Sequence, residues 1–404
     1  MKKLSLGLEK ALSITLEHIQ PLAVENVTLA ECTDRIAASD LYALVNSPSM
    51  DSSMKDGYAV ASHEVANATP EKPVRLNLAG ILAPGGTNDI ELKPGTTVRV
   101  LTGARIPAGA DAILTEEFAK QEGNDILVMN FAEPGRNILR CGRDVKFRTC
   151  IIKKGQLLSP GIIGLIAAAG HSTVPVFKNP TIAIIGTGDE IVAPGDPLSE
   201  GQLYASNILT CHAWCKRYKM KTVMTVVHDD FDTLTKTFKT QSAGADAIIT
   251  SGGAWTGDRD LVAQVFEGLL WQQYFHRIRI GPGKAVGFGM LDKKPVFILP
   301  GGPSSNLMGF LQIALPGLLA LAGHANPHLP RINARLAADL KGRERDWTDF
   351  FFGRLEEEEG FPVFHPLKDS SRLRAISEAE AIASIPEEQE YLKKGSVISV
   401  QLLK

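Results

Sequence analysis

Between residues 181 and 322 the chain alternates short, almost wholly apolar runs with longer segments of helical spacing. Strands are expected at 181–186, 222–228, 246–250 and 295–299. Helices are expected after them at 206–218, 231–242, 259–269 and 304–322. Runs that are apolar at nearly every position suit strands buried on both faces, as in a parallel sheet covered by helices. The alternation predicts a doubly wound α/β unit.

The flanking regions carry different patterns. Leu8, Leu12, Leu16 and Ile19 mark one face of an amphipathic helix, and a second helical segment is expected around Leu29–Leu44. From 47 to 141 the strand-like pieces Val74–Leu78, Thr97–Val100 and Ile126–Met129 lie between Gly/Pro turns, which reads as a small β-barrel or sandwich. Residues 155–170 form a helix-containing return segment whose start signal is Ser159-Pro160. After a linker at Asn326–Pro330 the chain returns to β pattern through Phe350–Phe352 and Ser396–Val400. Glu356–Glu359 reads as a solvated hairpin turn. The fold class is α/β plus β, in several domains.

Composition narrows the function classes. A chain of 404 residues exceeds one core. A formal charge of −2 gives no electrostatic case for nucleic acid or an anionic membrane. The most apolar stretch, Leu307–Ala322, is interrupted by Gln312 and Pro316 and reads as a packed helix rather than a span. Glu9, Glu17 and His18 break any signal-peptide core near the first residues. Five irregularly spaced cysteines fit a reducing compartment, so a cytoplasmic location is expected.

Candidate chemistry gathers where three strands of the α/β unit end on glycines. Loops at the carboxyl ends of parallel strands line one crevice, glycines let backbone approach an anion, and helix N-termini favour it. Gly186-Thr187-Gly188-Asp189-Glu190 follows the first strand. Asp189 there suits either a metal or a ribose hydroxyl, or else caps the next helix. Ser251-Gly252-Gly253 offers a concavity of amides suited to phosphate, with Asp260 placed to reach back as a cation ligand or to cap a helix. Trp255 either stacks on an aromatic ligand or lies under the loop. Gly281-Pro282-Gly283-Lys284 sets an ammonium on a rigid turn, in reach of an oxyanion or simply in solvent. Pro300-Gly301-Gly302-Pro303-Ser304-Ser305 sets hydroxyls at a helix start, an anion site or a plain cap. Glycine loops with acids among them point to a nucleotide-like anion held with a divalent cation. Cys211 and Cys215, at helical i, i+4, lack a second pair at zinc spacing, and Asp51–Val60 is by spacing an ordinary turn.

Taken in order, these motifs resemble the molybdopterin molybdenumtransferase family, the MoeA and gephyrin E-domain proteins. The resemblance runs through Asp51–Val60, Leu101–Ala104, Gly142-Arg143-Asp144, Gly186–Glu190, Ser251–Gly253 with Gly257 and Asp260, Pro282-Gly283-Lys284 and Leu299–Pro303. It implies a domain I of 1–46 and 142–178, an inserted β domain II of 47–141, a MogA-like α/β domain III of 179–325 and a C-terminal β-barrel of 326–404. It also implies a homodimer with the cleft shared between subunits. The implied activity is insertion of molybdate or tungstate into adenylylated molybdopterin, with Mg2+ and release of AMP. Further implied partners are other cofactor-synthesis proteins and acceptor molybdo- or tungstoenzymes.

By motif, Asp189 and Asp260 would hold the metal, and Lys284 and Ser305 the anionic groups. Thr102, Asp51 and Asp56 would come from the partner subunit, with Asp144 nearby. Gly186, Thr187, Gly188, Ser251, Gly252, Gly253, Pro300, Gly301, Gly302, Ser371 and Arg372 would line the substrate. The chain departs from the family at Ala254 and Trp255, at Gly281 where a lysine is common, at Lys55 and at Ser370-Ser371-Arg372. Arg372 or Arg374 could restore the missing charge. The alternatives left by these departures are a pterin-binding scaffold and a nucleotide diphosphate hydrolase.

Overall fold

A computed structural model of the chain describes residues 6–86, 89–253, 261–368 and 372–404. The central sheet has six strands, in spatial order Lys221–Val227, Thr181–Thr187, Ala247–Ser251, Lys294–Leu299, Gly287–Leu291 and Gln272–His276. The first four are parallel, and the last two form an antiparallel edge. Alternate residues of one strand feed different cores, the period-two rule of a pleated strand. Ile182 and Ile184 face Ile208, Cys211, Leu311 and Leu315 of the helices on one side. Ala183 and Ile185 face Leu234, Phe238, Val262 and Phe266 on the other. Burial on both faces explains the continuous apolar strands.

The helix Pro303–Leu321 is, among the described residues, the one long and apolar enough to cross a membrane, yet 89% of its apolar window is buried against the rest of the chain. Its middle widens into a π-turn at Phe310–Ala314, just before Pro316. Proline has no N–H to offer the carbonyl of Gln312, and a wider turn accommodates the gap. The Gln312 side chain exchanges hydrogen bonds with Gln401 at 2.7 and 3.2 Å.

The helix expected around Leu29–Leu44 is absent. A single 3-10 turn at Leu29–Glu31 is followed by extended chain. Ile36 bridges Leu157 and Ala37 bridges Val176, while Val24–Thr28 pairs with Thr173–Phe177. Ala37 and Leu41 are buried against Leu158, Ile166 and Val176. Pairing with distant segments satisfies backbone groups that a helix would have satisfied locally, so tertiary packing overrides the apolar spacing. The first helix, Leu8–Glu17, packs on the Pro303–Leu321 helix, with Ala11 and Thr15 buried on it and Ile19 buried just beyond its end.

Residues 57–128 supply a six-stranded sheet in the order Ala112–Thr115, Gly57–Val60, Thr96–Val100, Val74–Leu82, Asp125–Val128, Ala119–Glu122. The C-terminal strands Arg331–Leu336, Thr348–Glu358, Phe361–Pro366, Ala381–Ile385 and Val397–Leu402 close into a five-stranded barrel. The hairpin turns at Glu359-Gly360, so Glu356–Glu358 belong to the strand. Ile280-Gly281 from the α/β unit adds to this barrel, parallel to Thr348-Asp349.

Candidate functional site

Thr187 ends the first strand of the sheet and is 3% exposed. Its hydroxyl has no hydrogen-bond partner among the described residues. A buried unpaired hydroxyl is costly, and a ligand group that pairs with it removes the cost. In front of it runs Gly252-Gly253, with φ of +104° and +66°. A Cβ on Gly252 would stand 2.2 Å from the Thr187 carbonyl oxygen, and one on Gly253 would stand 2.3 Å from Val262 Cγ2. Only glycine fits here, and the loop turns backbone rather than side chains toward Thr187 Oγ1.

Asn306 holds the neighbouring strand ends together. It is 1% exposed, and its Nδ2 donates to Ser251 Oγ and to the Pro300 carbonyl, both at 2.9 Å. Cys211 Sγ donates to Asn306 Oδ1 at 3.5 Å, and Asn207 Nδ2 donates to the Gly301 carbonyl at 2.7 Å. Gly301 and Gly302 are exposed, and a Cβ on either would meet nothing within 4 Å. Crowding within the chain therefore does not account for glycine at these two positions.

Acids gather at the ends of Thr181–Thr187 and Lys221–Val227. Asp189 Oδ1 accepts the Asp229 N–H at 3.1 Å and stands 3.6 Å from His228 Nδ1. Burial raises the Asp229 carboxyl above the usual range, and the negative charges of Asp189 and Glu190 raise it further. Among the described residues the set of three ligands close enough to share one ion is Glu356, Glu358 and His365, so Asp189, Glu190 and Asp229 do not by themselves form a closed cation cage. Gly186 lies under Ile191 and Ile208, each 3.2 Å from where its Cβ would be, so it serves helix packing. A Cβ on Gly188 would strike the Glu190 carboxylate at 2.5 Å.

A cavity of about 640 Å³ opens where the turn 277–285 meets the first barrel residues. Pro300, Ser304 and Ser305 form part of its wall. Four cations line it, Arg277, Lys284, Lys341 and Arg343, against two acids, Glu344 and Asp349. Lys284 Nζ lies 5.4 Å over the Trp347 ring, a cation–π contact that orients the ammonium without neutralising it. Arg277 adopts φ +71°, and its Nε is buried without a partner among the described residues. Asp349 is 3% exposed and accepts the Arg343 N–H at 2.7 Å. The excess of positive charge suits an oxyanion or a phosphate.

Thr187, Gly188, Asp189, Ser251, Gly252, Gly253 and Pro300 to Gly302 thus lie at the ends of neighbouring parallel strands, while Lys284, Pro300 and Ser305 line the cavity. Asp51, Asp56, Thr102 and Asp144 do not line it. Asp56 accepts the Thr102 N–H at 2.6 Å and its hydroxyl at 2.8 Å, which holds its carboxyl below the usual range. Asp51 accepts the Cys141 N–H at 2.8 Å and pairs with Arg140, with the same effect. Arg372 is exposed at the start of helix Leu373–Glu378 and is not part of the cavity wall. Arg374 is paired with Glu378. Asp260, Trp255, Gly257 and Ser370-Ser371 lie outside the described residues. Cys211 and Cys215 are fully buried, and burial pushes both thiols up, Cys215 to about 12. They belong to the core.

Sequence reasoning missed Arg277, Lys341, Arg343, Trp347, Asp349 and Asn306. None sits in a glycine motif, and the cavity residues converge only because Ile280-Gly281 pairs with Thr348-Asp349.

Residues 6–170 match the MoeA N-terminal region (domain I and II), 183–320 the "Probable molybdopterin binding domain", and 333–403 the MoeA C-terminal region (domain IV). Molybdopterin molybdenumtransferase 2 of Mycobacterium tuberculosis is 30% identical over 380 residues, 93% of this chain and 94% of that protein. Molybdopterin molybdenumtransferase of Haemophilus influenzae is 32% identical over 360 residues, 88% of this chain and 86% of that one. A solved molybdopterin biosynthesis MoeA protein from Pyrococcus horikosii superposes with TM-score 0.81 at 32% identity, covering 99% of both chains. The chain belongs to the MoeA family, the molybdopterin molybdenumtransferases of molybdenum cofactor biosynthesis.

Proposed function

We propose that this protein inserts molybdate or tungstate into adenylylated molybdopterin and releases AMP. The observation that carries the reading is the cationic cavity of about 640 Å³ beside the glycine-lined strand ends. The amides of Gly252 and Gly253 and the unpaired Thr187 hydroxyl would receive the diphosphate, a fixed set of donors that needs no reorganisation. Lys284, Arg277 and Ser305 would hold the incoming oxyanion. Binding both reactants in one crevice converts their encounter into a step between oriented groups, so no side-chain nucleophile is required.

Asp189, with Asp260 as the second ligand implied by its motif, would hold Mg2+, and Glu190 and Asp229 add negative charge beside Asp189. When bound, the ion would neutralise diphosphate charge. A homodimer is supported by the helix Pro160–Ala168, which is apolar throughout although only Ile166 is buried. Tyr42, Leu44 and Val45 are exposed beside it. In a second copy Asp51, Asp56, Thr102 and Asp144 would complete the cleft. The domain division at 1–46 with 142–178, 47–141, 179–325 and 326–404, a cytoplasmic location, and acceptor molybdo- or tungstoenzymes as partners belong to the same proposal.

The test is AMP release from adenylylated molybdopterin with and without molybdate. Oxyanion-dependent AMP supports the reading. Oxyanion-independent AMP, or none, rejects it.

A further inference from the structure

A second layer of selection is built around Gly281, a position where the sequence offers no side chain. Its strand lies parallel to Thr348-Asp349, so close that a Cβ on Gly281 would stand 2.5 Å from Asp349 Oδ1 and 3.7 Å from Arg343 Nη1. Backbone here abuts a buried carboxylate, and no larger residue enters unless that carboxylate moves. Asp349 Oδ2 takes the Arg343 N–H at 2.7 Å, and a Cβ on Gly342 would lie 3.3 Å from the same oxygen. The carboxylate therefore fixes the backbone of 342–343 from beneath.

Arg343 then extends into the cavity. Its side chain is 72% exposed, and its Nε stands 3.9 Å from Asp349 Oδ1, beyond hydrogen-bond range. The guanidinium thus forms an ion pair with Asp349 but, among the described residues, makes no side-chain hydrogen bond, which leaves donors of its planar fork for a ligand. The position it fills borders the space a side chain at 281 would enter. A fork of N–H donors recognises a tetrahedral oxyanion through paired contacts that an ammonium cannot reproduce.

We propose that Arg343 selects the oxyanion in this cavity and that Asp349 is its positioning residue, with Gly281 leaving the room both need. The inference rests on the reading of the cavity given above and adds two residues to it.

The test uses the full-length protein. AMP release is measured while molybdate and adenylylated molybdopterin are varied separately, and heat is measured on titration with sodium molybdate alone. Arg343→Ala is expected to raise the KM for molybdate and weaken its direct binding by roughly ten- to a hundredfold, the scale of losing one charge-assisted contact. The KM for adenylylated molybdopterin should stay as in wild type, and Arg343→Lys should fall between. Asp349→Ala should raise the molybdate KM similarly, yet add nothing in the Arg343→Ala background. Asp349→Asn serves in its place if the alanine variant does not fold.

An Arg343→Ala enzyme with wild-type molybdate KM and binding overturns the inference while leaving the transferase reading intact. Equal rises in both KM values overturn it too, because the residue then serves the pterin side. Additive effects of the two substitutions refute the positioning role of Asp349. A wild-type protein that binds molybdate through Arg343 but releases no AMP keeps the inference and removes the transferase reading. Absence of both AMP release and molybdate binding removes both.

Discussion

Asn306→Ala removes the amide that stitches two strand ends to the helix behind them. Both bonds from Nδ2, to Ser251 Oγ and the Pro300 carbonyl, disappear together. The site is 1% exposed, so water does not readily replace them. Each bond contributes about 0.5–1.5 kcal/mol net, and a buried acceptor left unpaired costs about 1–3 kcal/mol. The sum for the two bonds and one such acceptor is roughly 2–6 kcal/mol, localised to the strand ends. A chain with several separate cores has no single unfolding free energy. Native-state hydrogen exchange is therefore the assay, read at the amides of Ala247–Ser251 and Lys294–Leu299. Local destabilisation of this size accelerates exchange by roughly thirtyfold to ten-thousandfold when opening is at equilibrium, at 1.4 kcal/mol per tenfold. Amides in the barrel strands should be unaffected. Exchange within threefold of wild type at Gly252, which donates to the Leu299 carbonyl at 3.1 Å, would refute the account of Asn306 as the tie.

Gly301→Ala should leave thermal stability within about 0.5 kcal/mol, since nothing stands within 4 Å of the new methyl, yet weaken substrate binding. Wild-type affinity would show that no ligand backs onto Gly301. Gly253→Ala should instead destabilise the fold by about 2–4 kcal/mol, because a left-handed φ of +66° and a 2.3 Å approach to Val262 act together. A thermal scan that finds no change rules this out. The His324 imidazole is driven by burial from 6.5 to about 4. Its neutral form is favoured in the folded state, so the stabilisation is complete above pH 6.5 and is lost as pH falls toward 4. A shift of that size corresponds to about 3 kcal/mol. Unfolding measured from pH 7.5 to 4.5 should show this slope in wild type and a shallower one in His324→Gln. Equal slopes would remove His324 as the source.

What could be read from the sequence is what the chain encodes locally. Ile182 to Ile185 and Ala247 to Ile249 are apolar without interruption because both faces are covered, and the glycines after them mark where backbone must pass close to something. The neighbouring strand ends could be expected from that alone. The segment 29–44 could not, since Ile36 and Ala37 take their partners from Leu157 and Val176, far along the chain. Arg343 and Asp349 carried no local signal either. Their significance comes from register, the pairing of two residues from the sheet unit with two from the barrel. Asp51 and Asp56 stand out in the sequence only by resemblance, and their hydrogen bonds to Cys141 and Thr102 are consistent with the ordinary turn their spacing implies.

That two-rung ladder has a mechanical consequence. Gly281 and Asp349 occupy the buried end of the cavity, so sheet and barrel are joined there like the boards of a book at its spine. Prising them apart at that end means breaking main-chain hydrogen bonds and uncovering a carboxylate. Gln312 bound to Gln401 and Arg279 paired with Glu387 fasten the same two units at further points, so the binding is stitched in several places rather than at that edge alone.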